Sequence, residues 1–220
     1  MQLYTLFLAG WLFGAFLPSK TTIPANEANV SEILSDIDSI YIELRGRNAS
    51  LPDPQVFQKA MAAINSIHRT PGSPDIVSIV DFTKPSTEKR LWVIDIKNGK
   101  VLHHTLVAHG KNSGELYAEK FSNVPESWQS SLGLYVTGKT YMGKHGLSLK
   151  LHGMDPGVND RAESRAIVMH GADYVSEQFV KRTGRLGRSF GCPAIPLEDH
   201  EEIIKTLANG SCLYIHHTSS

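Results

Sequence analysis

The sequence predicts a mainly β domain with a few helices, preceded by a helical N-terminal segment. From residue 76 onward, short apolar runs rich in β-branched and aromatic residues alternate with turn residues. One of these turns, Asn98-Gly99, has the composition of a tight β-hairpin. Before residue 72 the apolar residues recur at helical spacing instead. We therefore expect a helical segment over residues 26–72 and a β domain over residues 76–217.

The N-terminus predicts an export signal within residues 1–25. Residues 3–17 are almost wholly apolar, and Lys20 is the first charged side chain. The run is shorter than the roughly 20 residues of a membrane-spanning helix and suits a signal peptide. However, no basic residue precedes the run and no A-x-A cleavage site follows it. A retained membrane tether through residues 3–17 and a buried N-terminal helix therefore stay as alternatives.

Two helices are predicted in the N-terminal segment. The first is indicated by apolar residues at helical spacing, namely Ile33, Leu34, Ile37, Tyr41 and Leu44. The second begins at Pro54, with Asp53 as its N-cap, and carries an apolar stripe as far as Ile67. Residues 70–74 read Thr-Pro-Gly-Ser-Pro and mark the boundary to the β domain.

The β domain contains seven predicted strands and one predicted helix. The strands are residues 76–82, 91–96, 101–108, 134–137, 147–151, 166–169 and 212–216. The helix covers residues 197–207, because acidic side chains cluster at its start. In this scheme His170 comes directly after a strand and closes it.

The length and charge of the chain indicate its domain organisation and argue against a nucleic-acid-binding function. A chain of 220 residues suits one domain with an appended segment. Its 22 basic and 22 acidic residues balance, and the pI is near 7.2. Nucleic-acid binding usually needs a basic surface, so no nucleic-acid partner is predicted. The oligomeric state is left open.

The chain has two cysteines, and we predict that they do not pair. Cys212 lies in a strand-like run and is expected to be a small buried side chain. Cys192 lies in a Gly-Cys-Pro turn, where a thiol is accessible. A disulfide between them would also remove the free thiol that the following motif requires.

Cys192 and His170 together predict acyl transfer through a thioester. A thiol attacks as the thiolate, and a nearby imidazole can take its proton and later protonate a leaving amine. The backbone N–H groups of Gly191 and Cys192 are candidate oxyanion donors, and Gly171 keeps the approach to His170 open. Ser189 either hydrogen-bonds within the loop or steadies the histidine.

The motifs resemble the L,D-transpeptidase catalytic domain, also called the YkuD fold, in a divergent branch. The resemblance is carried by His170-Gly171-Ala172, by residues 184–196 (GRLGRSFGCPAIP), and by residues 108–114, 143–149 and 157–160. It implies a β-sandwich of mixed sheets with the thiol in a groove. It also implies that Cys192 attacks the peptide bond before the terminal D-Ala of a peptidoglycan stem, in the periplasm or cell envelope. The acceptor is an amine, or water in a carboxypeptidase, and no metal or organic cofactor is implied.

The sequence departs from the family pattern at one position. Better-known members have arginine two residues after the cysteine, and this chain has Ala194 there. Basic residues just upstream offer a replacement for carboxylate binding, and Arg188 is the favoured one. His145, His152 and Asn159 lie in or near the resembling segments and are weaker candidates for contacts with the substrate.

Three alternatives remain open. Ser189 lies in a formal G-x-S-x-G match, which would make the protein a serine hydrolase, although no strand enters that turn and Pro193 soon follows. His152 and His170 could serve a zinc-dependent wall peptidase, although the spacing from His152 to Asp160 does not match the H-x-x-G-x-A-x-D pattern of such enzymes. A non-catalytic wall-binding module is the third alternative, and it would need no reactive thiol.

Overall fold

A computed structural model, which describes residues 25–67 and 75–219, contains four helices and eight strands and confirms the predicted mainly β class. Apart from Ala25, the predicted signal peptide or tether lies outside the described residues, and so does the boundary at residues 70–74. Within the described residues, no helix combines the length and the apolar character needed to cross a membrane.

The elements follow one another in a fixed order. They are α1 (Ala25–Arg47), α2 (Pro54–Asn65), β1 (Ile76–Asp81), β2 (Leu91–Asp95), β3 (Lys100–Thr105), β4 (Gly133–Gly143), β5 (Gly146–Gly153), β6 (Val168–Ala172), α3 (Glu177–Thr183), β7 (Ala194–Pro196), α4 (His200–Leu207) and β8 (Cys212–His216). All seven predicted strands are present, and β4 and β5 are longer than predicted. Two elements were not predicted: β7, which has only three residues, and α3, which buries no side chain and so lacks an apolar stripe.

The start of α2 is confirmed in detail. The Asp53 side chain accepts a hydrogen bond from the Gln55 N–H at 2.8 Å, and Pro54 occupies the first helical position. The cap satisfies a backbone N–H that would otherwise be unpaired at the start of the helix. Proline has no backbone N–H, and at the first helical position this costs no intrahelical hydrogen bond. One face of α2 then turns Phe57 and Met61 into the core.

The strands form one mixed eight-stranded sheet in the order β3-β2-β1-β8-β4-β5-β6-β7. The β1–β8 and β6–β7 pairs are parallel, and the other neighbours are antiparallel. Beyond β3 the chain runs on to the opposite edge, where the Ala108 N–H donates to Ala194 O at 2.8 Å. The two edges of the sheet therefore meet, and the sheet is curled nearly into a barrel.

Each face of the curled sheet has its own core. Side chains such as Tyr135 and Met169 point inward and pack with Ile203 of α4. The alternate side chains, such as Ile79, point outward and pack with Phe57 of α2. The N-terminal helices thus cover the outer face of the sheet. The division into segments 26–72 and 76–217 stays a prediction.

Candidate active site

His170 lies in the middle of β6, and the prediction that it closes a strand is wrong. The strand continues to Ala172, because β7, which the sequence did not reveal, pairs with it on the far side. His170 is paired with Ser148 on β5 and with Ala194 on β7. Hydrogen-bonded strands on both sides hold the backbone of the histidine in place.

The parallel pairing of β6 and β7 brings Cys192 beside the start of β6. The cysteine comes two residues before β7, and its Sγ lies 3.4 Å from the Val168 N and 3.7 Å from Ala166 O. Cys192 and His170 line the same cavity, which has a volume of about 430 Å³. The fold therefore brings together the thiol and the imidazole that the sequence paired.

The hydrogen bond at one ring nitrogen sets the tautomer of His170. Its Nδ1 lies 3.0 Å from Gly171 O, and only a protonated Nδ1 can donate to a carbonyl, which leaves Nε2 free to accept a proton. The side chain is 2% exposed. Burial lowers the pKa of His170, and the His145 ring stacked at 4.4 Å, Lys144 and His200 lower it further. The imidazole is therefore neutral at neutral pH and can act as a base.

The thiol of Cys192 is also in its neutral form at rest. Burial raises its pKa, and the Val168 N–H, Arg165 and Lys144 oppose this effect only in part. A thiolate therefore forms when a base removes the proton, as a neutral imidazole in the same cavity can do.

Ser189 holds the turn formed by residues 189–192, the Cys192 loop. Its hydroxyl donates to Cys192 O at 2.6 Å and accepts from the Gly191 N–H at 3.1 Å. The residue is 5% exposed. Of the two roles considered for Ser189, the structure shows the hydrogen bond within the loop.

The predicted oxyanion donors need a correction. The Gly191 N–H already donates to Ser189 Oγ, so it is not available to a substrate. The Cys192 N–H donates to no atom within the described residues and remains a candidate. Gly171 does not line the cavity, and a Cβ there would lie 2.6 Å from His200 Cγ, so this glycine is required for packing against α4.

Arg188 lines the cavity, but its guanidinium is paired with an acidic side chain. Its Nη1 contacts Glu115 at 2.6 Å and also donates to the carbonyls of Lys111 and Gly114. Arg185 binds the other oxygen of the same carboxylate at 2.8 Å. Both arginines therefore tie the Glu115 segment to the chain just before the Cys192 loop, which argues against the predicted substrate-binding role of Arg188.

Two other predicted substrate residues lie away from the cavity. Asn159 is buried, and its side chain bonds Leu132 O, Leu134 O and the Asp155 N–H, so its hydrogen-bonding groups serve the fold. His152 contacts Glu163 at 3.5 Å in a separate shallow depression. His145 does line the cavity, through its stacking on His170.

The zinc alternative does not fit this geometry. His170 pairs with Ser148, which lies four residues before His152 on β5, so the two histidines are about 13 Å apart along the strand direction. A zinc ion binds nitrogen ligands at about 2 Å and cannot join them. Within residues 25–67 and 75–219, no group of three His, Cys, Asp or Glu side chains has the arrangement of a metal site.

Among the cavity residues that sequence reasoning missed are Lys144, Arg165 and Tyr174. Lys144 lies at the tip of the β4–β5 hairpin, and Tyr174 follows β6. Burial and Cys192 raise the pKa of Tyr174 to about 12. Arg165 could have been found from its position just before the strand that carries His170. No carboxylate lines the cavity, so its charge is positive.

A comparison with models of protein families assigns the chain to a family. The model described as L,D-transpeptidase catalytic domain matches residues 48–216. The chain belongs to the L,D-transpeptidase catalytic domain family. The family match includes α2 and every strand, and it leaves out α1.

Several solved structures show a distant likeness to this chain. The enzyme from Mycobacterium smegmatis is 11% identical with a TM-score of 0.40, over 65% of this chain and 59% of that one. L,D-transpeptidase 3 from Mycobacterium tuberculosis is 11% identical with a TM-score of 0.42, over 66% and 62%. The helical cell shape determining protein Pgp2 from Campylobacter jejuni is 15% identical with a TM-score of 0.40, over 71% and 54%. The chain thus spans less than two thirds of each, and no curated protein matches it.

Proposed function

We propose that this family member is a cysteine-dependent acyltransferase of peptidoglycan stem peptides, with Cys192 as nucleophile and His170 as general base. One observation carries the proposal: the thiol and a neutral imidazole with a free Nε2 line the same cavity. In an L,D-transpeptidase family, that pair is suited to cleaving the peptide bond before the terminal D-Ala.

In the first half-reaction, His170 Nε2 takes the thiol proton while Sγ attacks the carbonyl carbon of the scissile bond. The tetrahedral intermediate places negative charge on oxygen, where the Cys192 N–H can donate to it. As the C–N bond breaks, the imidazolium gives its proton to the leaving nitrogen of D-Ala. The products are a thioester on Cys192, a free D-Ala and a neutral His170.

In the second half-reaction, an acceptor attacks the thioester carbonyl. His170 removes a proton from the attacking amine, or from water, and returns it to Sγ as the C–S bond breaks. An amine gives a new cross-link or a protein attachment, and water gives a shortened stem. We leave the acceptor open, because cross-linking and carboxypeptidase activity use the same groups on the enzyme.

The positive charge of the cavity favours a donor stem peptide that carries a carboxylate. Lys144 and Arg165 contribute positive charge, and no lining residue is acidic. A stem that ends in D-Ala carries a terminal carboxylate, which a cationic cavity attracts. Lys144 thus takes the carboxylate-binding role predicted for Arg188, whose guanidinium is already paired with Glu115.

The competing functions are less well supported. A serine hydrolase needs a hydroxyl that a base can deprotonate, but Ser189 Oγ donates to the carbonyl of Cys192. A wall-binding module needs no thiol beside an imidazole. Export to the periplasm or cell envelope follows from the proposed substrate, and peptidoglycan is the one partner that the proposal names.

The test is to incubate the full chain with a disaccharide-tetrapeptide and to follow both products and protein by mass spectrometry. We expect release of D-Ala and an acyl adduct on Cys192. The Cys192→Ala protein should form no adduct, whereas Cys212→Ala, its matched control, should react like the wild type. Adding an amine acceptor or leaving it out separates transfer from hydrolysis.

Two further treatments distinguish the cysteine mechanism from the zinc-dependent and serine-dependent alternatives. Activity should survive a chelator and be lost after alkylation by iodoacetamide. Turnover that needs added zinc would overturn the cysteine mechanism, and an adduct on Ser189 in Cys192→Ala would favour the serine hydrolase. A protein that binds the substrate without any turnover would be a wall-binding module.

A further inference from the structure

Arg165 holds a loop that borders the candidate active site. Its Nη1 donates to Ser122 O and Ser131 Oγ, and its Nη2 donates to Ser127 Oγ and Gln129 O. These acceptors all lie in residues 122–131. The four N–H groups of the guanidinium fork are therefore all used, and the remaining one, on Nε, is buried without a hydrogen-bond partner within the described residues.

The same guanidinium lies against the Cys192 loop. A Cβ built on Gly191 would be 3.4 Å from Arg165 Nη2, so the fork packs beside the residue that precedes Cys192. Arg165 and Cys192 also line the same cavity. The arginine thus joins the 122–131 loop to the turn that carries the thiol.

The positive charge of Arg165 is not neutralised by an acid. All four acceptors of its fork are neutral oxygens, and it forms no salt bridge within the described residues. Arg188 provides the contrast, because it lines the same cavity but pairs with Glu115 at 2.6 Å. An unneutralised cation in a half-buried position exerts a strong field, since little water screens it.

We propose that Arg165 is a positioning residue, which fixes the 122–131 loop against the Cys192 loop and whose charge favours the thiolate form of Cys192. The N–H groups on Nη1 and Nη2 of Arg165 all donate to the 122–131 loop, so none of them is left to bind a substrate carboxylate. Its effect on the reaction is therefore electrostatic and acts through the sulfur. The proposal rests on the proposed function only in taking Cys192 as the nucleophile.

Other groups act on the same sulfur and must be kept constant in a test. Lys144 on the β4–β5 hairpin is a second cation, and the Val168 N–H is a neutral donor. Tyr174 stays un-ionised because its pKa is raised to about 12, and His170 is neutral above its lowered pKa. None of these groups changes when Arg165 is replaced.

The test measures the rate of iodoacetamide alkylation of Cys192 as a function of pH, in a Cys212→Ala background. Arg165→Gln removes the charge and keeps two N–H donors for the loop. Arg165→Lys keeps the charge and loses the fork. Arg188→Met removes a cation that lines the same cavity but is paired with Glu115, and it is the matched control for titration of the thiol.

We expect the midpoint of the alkylation profile to rise by about one pH unit or more in Arg165→Gln, as loss of one nearby charge does. In Arg165→Lys and Arg188→Met it should stay within about 0.3 unit of the parent. An unchanged midpoint in folded Arg165→Gln overturns the proposal, and so does an equal rise in Arg188→Met. If Arg165→Gln does not fold, a full-unit rise in Arg165→Lys overturns it.

The alkylation assay contains no peptidoglycan, so the two proposals can fail separately. A protein that is inactive on muropeptides but shows the expected midpoints would overturn the proposed function alone. An active protein whose midpoints do not move would overturn the role of Arg165 alone.

Discussion

Cys192 and Cys212 have the same side chain in opposite surroundings. Cys192 is half-buried, lines a cationic cavity and has an imidazole in the same cavity. Cys212 is fully buried on β8, on the sheet face that α1 and α2 cover. Neither forms a disulfide, as the sequence predicted. Under the proposed function, the same type of residue therefore has a chemical role at position 192 and a packing role at position 212.

Replacement of the two cysteines should therefore affect different properties. Cys212→Ala should lower the free energy of unfolding by about 1 kcal/mol, because it leaves a small void, and should not change activity. Cys192→Ala should abolish thioester formation and leave the free energy of unfolding nearly unchanged. Urea titrations and intact-mass spectra of both variants measure these effects. An acyl adduct on Cys212 would contradict the assignment.

His170 should matter far more for acylation than His152. His170→Ala removes the general base and should slow acylation by about two to four orders of magnitude. His152→Ala is the matched control, because this histidine lies on the neighbouring strand but outside the cavity. Single-turnover acylation rates give the comparison. A larger loss in His152→Ala would reverse the assignment.

The pH dependence of activity should report the surroundings of His170. Burial lowers its pKa below the ordinary 6.5, so the base stays unprotonated at pH values where an exposed histidine is charged. The acid limb of kcat/KM should therefore lie below pH 6.5. In His145→Ala the limb should move upward, because a ring that lowers this pKa is removed. An acid limb above 6.5 in the wild type would count against His170 as the base.

At the scale of elements, the packing of α4 on β6 depends on the absence of a side chain at Gly171. A Cβ there would lie 2.6 Å from His200 Cγ and 2.9 Å from His200 Cβ. The neighbouring atoms belong to the base of the His200 side chain and cannot swing away. The helix and the strand therefore approach each other at a distance that only glycine allows.

Gly171→Ala should consequently destabilise the protein by about 1–3 kcal/mol, the usual cost of overpacking a core. Gly46→Ala is the control, because it lies in α1 with no atom within 4 Å of an added Cβ. That substitution should be neutral or slightly stabilising, since alanine favours a helix over glycine. Urea unfolding of both variants measures the difference. Equal stability in Gly171→Ala would show that α4 can shift at little cost.

At the scale of the whole molecule, a buried polar network ties the closing segment of the sheet to the candidate active site. Arg90 is fully buried and donates to Val107 O, Lys84 O and His109 Nδ1. The carbonyl of His109 in turn accepts the Ser189 N–H at 3.1 Å. The edge-to-edge closure of the curled sheet and the position of the Cys192 loop therefore depend on the same contacts.

This network should make the stability of the protein fall in acid. Burial and the nearby Arg90 lower the pKa of His109 to about 3 from 6.5. Between these values the unfolded chain binds a proton that the folded protein does not. The stability contributed by neutral His109 is thus fully present above pH 6.5 and is lost as the pH falls toward 3, by about 2 kcal/mol between pH 7 and pH 5.

The matching variant is His109→Gln, whose amide can accept from Arg90 and donate to Gly114 O without titrating. Its free energy of unfolding should fall by about 2 kcal/mol less than that of the wild type between pH 7 and pH 5. Urea unfolding at the two pH values tests this. The other buried histidines contribute equally to both proteins, so an identical pH dependence would exclude His109 as the source.

The fold class, most of the strands and the two residues that define the candidate chemistry could be predicted from the amino-acid sequence alone. Alternation of apolar residues and turn signals such as Asn98-Gly99 are local properties, so they could be recognised without a structure. Cys192 and His170 were recognisable because a thiol in a Gly-Cys-Pro turn and an imidazole next to glycine have few structural uses. The cap at Asp53 is equally local.

The side chains that surround Cys192 and His170 could not be predicted, because they are brought there by the three-dimensional fold. Arg165 is near Cys192 because β6 and β7 are parallel neighbours, and β7 is too short to show in a sequence. Arg188 is adjacent to the motif, yet it is paired with Glu115, which lies 73 residues away. The Gly191 N–H, by contrast, is taken up by Ser189 only two residues away, a local contact that depends on the conformation of the turn. Charges and hydrogen bonds act through space, so the pairing of strands, and not the distance along the chain, decides which groups meet.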